Sequence, residues 1–485
     1  MGSSDAFGAP NMKLDPASAY QALLSRDHRF DGRFFVGVKT TGIYCRPICR
    51  VRAPKASSCT FHDSAAAAEA AGFRPCLRCR PELAPGVSLV DSSDALACAA
   101  ARMLDAGAGQ QGLAQLAVRT GVGERHLRRV FQAHFGVSLI AYAQTQRLLV
   151  AKRLLTETDL GVAEIALMAG FGSLRRFNVL IRTRYHLTPS DMRKKRASRA
   201  HSEALVLSLD YRPPLNWVAL LDFFTARAVP QVEHVEAGVY RRCVRSWVNP
   251  AQGGWIEVCH DAARARLQLR VSDGLRADLV PLIAAVRRQF DLDCDPTRIS
   301  EALGSLAQAH PGLRLPGAID SFEQAVRAIL GQQVSVAAAT TLAGRIALRH
   351  GTPIVTVYPA LSRLFPSAET VAALPENELS ELGILATRAR SILALARAVA
   401  GQHLRLDCEA PLERTLASLR ELPGIGEWTA QYIAMRCLSW PDAFPHTDLI
   451  IRRAFPGLKP QAVLDAAEIW RPWRAYATLH LWKQA

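Results

Sequence analysis

Four cysteines stand in two close pairs, Cys45-x3-Cys49 and Cys76-x2-Cys79, with 26 residues between the pairs. Zinc takes four soft ligands in a tetrahedron, and two short pairs supply two of its edges. Unrelated buried or free thiols are the alternative. Four thiolates around one Zn²⁺ carry a formal charge of −2, and the metal keeps the sulfurs in the deprotonated, nucleophilic form. A ligand exposed to an alkyl group could attack it. Arg46, Arg50, Arg52, Arg74, Arg78 and Arg80 flank the pairs. They could seat a phosphate backbone beside the thiolates, or form an ordinary solvated basic face.

A second group lies near the other end of the chain. Leu422-Pro-Gly424-Ile-Gly426-Glu-Trp428 reads as a hairpin between two helices. Gly424 and Gly426 let the backbone approach a phosphate closely, and the N-terminus of the following helix favours an anion. An ordinary helix–helix turn would look similar. Downstream, in PheProHisThrAspLeuIleIleArgArg, stands Asp448. A lone Asp at a helix start is commonly an N-cap; the hairpin before it raises the weight of a functional carboxylate.

The elements that must hold these groups are spread over several domains. With 485 residues, 49% of them apolar, the chain is long enough for three or four. Residues 1–88 are rich in Cys and Arg. Residues 89–197 read as nearly continuous helix with glycine breaks, and Ser198–Ser202 as a linker. Residues 203–318 begin with alternating strand patterns at 205–209, 239–244 and 266–271, and residues 319–485 return to amphipathic helices such as Phe322–Leu330 and Thr429–Leu438. The expected fold class is multidomain α+β. It comprises a small zinc domain, an all-α double helix-turn-helix domain, an antiparallel-sheet α+β domain and an all-α helix-hairpin-helix domain.

Charge divides the chain. Residues 1–200 hold 29 Lys and Arg against 15 Asp and Glu; the rest hold 30 against 28. Nearly all of the net +16 therefore lies in the first two-fifths, which points to a polyanionic partner. No apolar run is long enough to cross a bilayer, and the first ten residues lack the apolar stretch of a secretory leader. The 11 cysteines are odd in number, which argues against a disulfide framework. These features lead us to expect a cytoplasmic protein. Within 89–197, residues 112–131 pair one helix with a second that carries Arg125, His126, Arg128 and Arg129. Residues 162–177 repeat the arrangement with Arg175 and Arg176. Two basic helices suit successive major-groove contacts; solvated arginines on a helical bundle are the alternative.

Three stretches resemble known families. ThrThrGlyIleTyrCysArgProIleCysArgValArg at 40–52, with GlyPheArgProCysLeuArgCysArgProGlu at 72–82, resembles the amino-terminal domain of the Ada family. The resemblance implies that Cys45 takes a methyl group from a DNA methylphosphotriester, irreversibly. It also implies that Cys45, Cys49, Cys76 and Cys79 ligate one Zn²⁺, and that Thr41, Arg52, Arg74 and Arg78 contact DNA. The paired units at 112–131 and 162–177, followed by TyrHisLeuThrProSerAspMetArg at 185–193, resemble AraC-type regulators. That implies promoter DNA, RNA polymerase as a partner, and Arg125, Arg128, Arg129, Arg175 and Arg176 as groove or phosphate contacts.

Hairpin plus downstream Asp resembles the helix-hairpin-helix glycosylases. TyrArgProProLeuAsnTrp at 211–217, HisProGlyLeuArgLeuProGly at 310–317, AlaIleLeuGlyGlnGlnValSerVal at 328–336 and the segment 470–482 extend this to the AlkA type. The resemblance implies hydrolytic release of alkylated purines such as 3-methyladenine from double-stranded DNA. Asp448 would stabilise the charge that builds on the sugar, and Trp428, Tyr432, Trp482 and Phe223 would hold an extruded, cationic base. Core packing is the other use of such aromatics. It also implies a monovalent cation at backbone carbonyls near Leu422 and Ile425, with Gly424 and Gly426 against the phosphates. Family members that also cut the strand carry a Lys where Trp428 stands, so Schiff-base chemistry is not expected. The family wedge motif GlyGlnLeuValSer reads here with Gln332 and Gln333, a more polar DNA contact. No ProCysHisArg motif occurs, so the resemblance does not extend to the O6-alkylguanine transferase part of Ada.

Together these imply a bacterial, nucleoid-associated alkylation-response protein with a methyl acceptor, a regulator and a glycosylase. Two other readings remain: a zinc-dependent regulator whose glycosylase part only holds damaged DNA, and a thiol redox sensor.

Overall fold

The computed structural model describes residues 15–85, 95–105, 113–120, 122–194, 204–408 and 410–484. The expected linker Ser198–Ser202, Gly121 in the first helix-turn-helix and the end of the basic run at 195–196 lie outside them. The chain divides into two units, residues 1–201 with 210–212, and residues 202–209 with 213–485. Among the described residues no helix is long and apolar enough to cross a membrane.

In the first unit, Phe35–Val38 and Ile43–Cys45 form an antiparallel hairpin with Val36 opposite Cys45. Cys59–His62 pairs on the outer side of Phe35–Val38, and Arg74–Pro75 runs parallel to Ile43–Cys45. That parallel pairing brings the second cysteine pair beside the first, because Cys76 N donates to Tyr44 O at 3.0 Å. Helices Ala95–Asp105, Leu113–Thr120, Glu124–Phe135, Leu139–Glu157, Val162–Met168, Leu174–Tyr185 and Pro189–Lys194 follow. Leu127, Phe131 and Phe135, four residues apart, bury one stripe of their helix; Phe177, Ile181 and Tyr185 do the same fifty residues on. Ser138 and Ser173 cap the helices after them by accepting from Ala141 N and Arg176 N. The two helix-turn-helix units flank the long helix Leu139–Glu157 in sequence, and its buried Lys152 donates to the Cys76 carbonyl at 3.2 Å and pairs with Glu82.

Glu69 is buried between Tyr44, whose hydroxyl donates to it at 3.2 Å, and Thr145 of the long helix, at 3.1 Å. Burial pushes its carboxyl up to about 7, against the pull of Arg184. The folded state then holds a proton that the unfolded chain releases near its ordinary value of 4.5. Stability from this group is therefore present at low pH and falls as pH rises from about 4.5 to about 7. Glu69→Gln should flatten that slope, by up to about 3 kcal/mol across the window, in denaturant melts of residues 1–201 at pH 5 and pH 8.

The second unit opens on a five-stranded sheet ordered Ala204–Asp210, Arg266–Ser272, Gly253–Asp261, Val239–Arg245, Glu233–Glu236, with antiparallel pairing among the last four. The strands Gly253–Asp261 and Glu233–Glu236 add to the three legible as alternating patterns. Helices expected at 322–330 and 429–438 run over Ser321–Leu330 and Glu427–Arg436. Buried ion pairs tie sheet to helix: Arg242 with Glu323 at 2.7 Å and Arg327 with Glu233 at 2.8 Å and Glu323 at 2.9 Å. Each such charge is costly alone, so the set holds strand and helix in one arrangement.

Candidate functional site

In the first unit the four cysteine Sγ atoms lie within 4.8 Å of one another. A zinc tetrahedron with bonds of about 2.3 Å needs edges of about 3.8 Å, so the donor set fits the metal. Sulfurs this close cannot all ionise without a cation between them, which is the electrostatic need a bound metal would meet. Backbone N–H groups of Arg46 and Arg78 donate at 3.4 Å to the sulfurs of Cys79 and Cys76. Such donors stabilise sulfur charge. Cys45 is 6% exposed, and Cys79 is the most open of the four.

Thr41, Arg50, Arg52 and Arg78 are exposed and Arg74 is half-buried. Two of the flanking arginines are locked in ion pairs. Arg46 is buried on the carboxylate of Asp31, 2.8 Å from Nε to Oδ1. Arg80 is held by Glu82 and Glu157 at 3.0 and 3.2 Å. Asp31 and Glu157 are distant in sequence, and Glu82, two residues from Arg80, has a buried side chain, so sequence spacing gave no sign of these locks. In the helical region Arg125, Arg128, Arg129, Arg175 and Arg176 are all exposed; Arg128 pairs with Glu124 one turn earlier.

In the second unit a cleft of about 1410 Å³ is lined by Phe223, Gln332, Gln333, Gly424, Gly426, Trp428, Tyr432, Asp448 and Trp482, among others. Asp448 is the N-cap of Leu449–Ala454: its Oδ1 accepts from Ile450 N at 2.9 Å and Ile451 N at 3.3 Å. The same carboxylate accepts from Trp428 Nε1 at 2.9 Å and Trp482 Nε1 at 3.1 Å. Cap and cleft carboxylate are thus one group, fixed by four donors. Trp428 and Tyr432 stack with centroids 5.2 Å apart and planes 7° from parallel; Trp482 tilts against Tyr432 at 6.2 Å. Trp482 is steadied through its helix by Arg474, which grips Asp442 with two bonds of 2.7 and 2.8 Å.

Phe223 lines the cleft, but its ring is covered: the Arg227 guanidinium lies 3.8 Å and that of Arg436 4.8 Å from its centroid. Arg436 also donates to the Tyr432 hydroxyl at 2.9 Å. Burial pushes the Tyr432 phenol up, but Arg436, Arg227 and Arg327 outweigh it and leave it below its ordinary value. These arginines carry no motif and stand about a hundred residues apart along the chain, so no local pattern pointed to them.

Gln332 Nε2 bridges the wedge turn to the hairpin, donating to Gly424 O at 2.8 Å and Thr429 Oγ1 at 2.9 Å. Gln333 is exposed beside it with φ +53°. Gly424 has φ +75°, and a Cβ there would sit 2.3 Å from Ser391 Oγ; at Gly426 a Cβ meets nothing within 4 Å. Gly424→Ala should therefore destabilise the second unit by about 1–3 kcal/mol in thermal or urea melts. Gly426→Ala should leave stability within about 1 kcal/mol.

Residues 18–82 match the metal binding domain of Ada, 116–195 a helix-turn-helix domain, 206–320 the AlkA N-terminal domain, and 326–461 the HhH-GPD superfamily of base excision DNA repair proteins. A probable bifunctional transcriptional activator/DNA repair enzyme AlkA of Mycobacterium tuberculosis is 40% identical over 97% of each chain. DNA-3-methyladenine glycosylase 2 of Escherichia coli is 39% identical over 57% of this chain and 96% of its own. The E. coli bifunctional transcriptional activator/DNA repair enzyme Ada is 38% identical over 31% of this chain and 42% of its own. Among solved structures, a 3-methyladenine DNA-glycosylase from Archaeoglobus fulgidus aligns with a TM-score of 0.49 at 21% identity, over 56% of this chain and 96% of that one.

Proposed function

The chain belongs to the family of bifunctional transcriptional activator/DNA repair enzymes that join an Ada-type metal-binding domain to an AlkA-type glycosylase, and on that premise we propose how its residues divide the work. The second unit releases alkylated purines such as 3-methyladenine from DNA. The observation that carries this reading is Asp448, a carboxylate held by two indole N–H groups and a helix N-terminus at the wall of an aromatic cleft. The extruded base stacks among Trp428, Tyr432 and Trp482. As the C1′–N bond breaks, its electron pair leaves with the base, and Asp448 faces the positive sugar. Water adds to C1′ and Asp448 takes its proton. Trp428 occupies the place of a lyase Lys, so the strand is left uncut. Gly424 and Gly426 meet the phosphates, Gln332 and Gln333 enter beside the extruded nucleotide, and carbonyls near Leu422 and Ile425 would hold a monovalent cation.

In the first unit Cys45 takes the methyl group of a phosphotriester. The S–CH₃ bond forms, the O–CH₃ bond breaks, and the electron pair stays on the phosphate oxygen. Zinc supplies sulfurs kept as thiolates. Thr41, Arg52, Arg74 and Arg78 seat the backbone. Methylation removes one negative charge from the cluster, which weakens its repulsion from DNA and raises affinity. Arg125, Arg128, Arg129, Arg175 and Arg176 then hold promoter DNA, and RNA polymerase is recruited at the nucleoid.

Incubating the full chain with DNA treated with a methylating agent tests both halves at once. The peptide bearing Cys45 should gain one methyl group by mass, and free 3-methyladenine should appear. A zinc-loaded protein that gained the methyl group but released no base would favour a regulator that merely holds damage; oxidation of the cluster without methyl uptake would favour a redox sensor.

A further inference from the structure

The cleft is not a purely electron-rich box. Arg227 lines it, half-buried, with its guanidinium 3.8 Å from the Phe223 centroid. Its NH1 donates to the Phe223 carbonyl at 3.3 Å, and its own carbonyl accepts from Arg327. Arg436 lies over the same ring and donates to the carbonyls of Pro316 and Gly317 and to the Tyr432 hydroxyl. Among the described residues neither Arg227 nor Arg436 is in an ion pair, whereas Arg327 is paired with Glu233 and Glu323. The Phe223 ring, which would attract a cationic base, already has two cations 3.8 and 4.8 Å from its centroid. Positive charge therefore lies along the Phe223 wall of a cleft that also holds the Asp448 carboxylate.

That polarity matters for how a base leaves. A purine alkylated on a ring nitrogen is cationic in DNA and departs as a neutral molecule. An uncharged lesion base, such as a deaminated purine, departs with the bonding electron pair as an anion and is then protonated by water. Only the second gains from a fixed positive charge where the electrons arrive.

We propose that Arg227 is the leaving-group contact of this cleft, its guanidinium donating from the Phe223 ring to a ring nitrogen or carbonyl oxygen of the extruded base and so setting the balance between uncharged and cationic lesions. The proposal rests on the glycosylase reading above. Arg436, buried and bonded to the Tyr432 hydroxyl and two carbonyls, holds the positive field in place; Arg227, half-buried in the lining of the cleft, is the one placed to reach the base.

The test compares two duplex substrates, one with hypoxanthine and one with 7-methylguanine, using the full chain and its Arg227→Met variant. The ratio of kcat/KM for hypoxanthine to that for 7-methylguanine should fall at least fivefold in the variant. A merely structural role for Arg227 would lower both substrates together and leave the ratio in place. A ratio that falls less, or rises, overturns the proposal. Arg227→Gln serves the same comparison if the Met variant does not fold, and the same fivefold fall is expected. Release of 7-methylguanine by the unsubstituted chain is the control on the glycosylase reading: if it is absent, that reading fails, whereas an unchanged ratio with 7-methylguanine still released sinks only the role of Arg227.

Discussion

Asp448→Asn should lower base excision by a factor on the order of 10²–10³ while leaving the second unit folded. The two effects separate because the carboxylate does two jobs with different chemical needs. As an N-cap it accepts from Ile450 and Ile451 with Oδ1. Asn offers an amide oxygen to the same donors and caps helices equally well, so the melting temperature should move by only a few degrees. As the group facing the sugar it must carry a negative charge, which Asn lacks. The amide also cannot accept from both Trp428 and Trp482, since one of its two tips is itself a donor. Asp448→Ala should lose the same activity and, in addition, about 1 kcal/mol of stability from the lost cap. Single-turnover release of 3-methyladenine, measured beside thermal melts, checks both. An Asn variant retaining more than a tenth of the rate would remove Asp448 from the chemistry.

Stripping the metal should unfold the zinc-binding region and leave excision intact. Structural zinc contributes on the order of 10 kcal/mol to small domains built around it. The strands around the four cysteines are two to four residues long. Their apolar clusters are small, such as Ala19, Ala22, Leu23, Phe34 and Val36. Without a cation, four sulfurs within 4.8 Å of one another repel or must share protons. Cys49→Ala, or a strong chelator, should therefore make residues 15–85 sensitive to protease and abolish methyl uptake. The glycosylase unit has its own sheet, helices and buried core, so 3-methyladenine release should persist. Elemental analysis should find one zinc per chain. A chain without bound zinc that still resists protease across residues 15–85 would contradict the metal-dependent fold.

Spacing by itself determined a good deal about this protein. The two cysteine pairs, the repeated helix-turn-helix pattern and the Gly424–Gly426 hairpin are local signals: each chemistry needs its residues at fixed short offsets, and the offsets survive in one dimension. The alternating strands at 205–209, 239–244 and 266–271 were legible for the same reason. The strand Gly253–Asp261 was not, because it opens on two glycines and its residues 254–258 are buried in succession, which removes the alternation.

What only the tertiary structure decided depends on partners far apart in the chain. It showed that Arg46 and Arg80, two of six arginines around the cysteines, are spent on the distant Asp31 and Glu157. It made Asp448 a cap and a cleft carboxylate at once, through indoles twenty and thirty-four residues away. It also set Arg227 and Arg436 over Phe223, turning an aromatic wall into a positive one. Charge in a sheltered site is defined by its neighbours in space, at distances of a few ångströms, and no spacing along the chain encodes which neighbours those are.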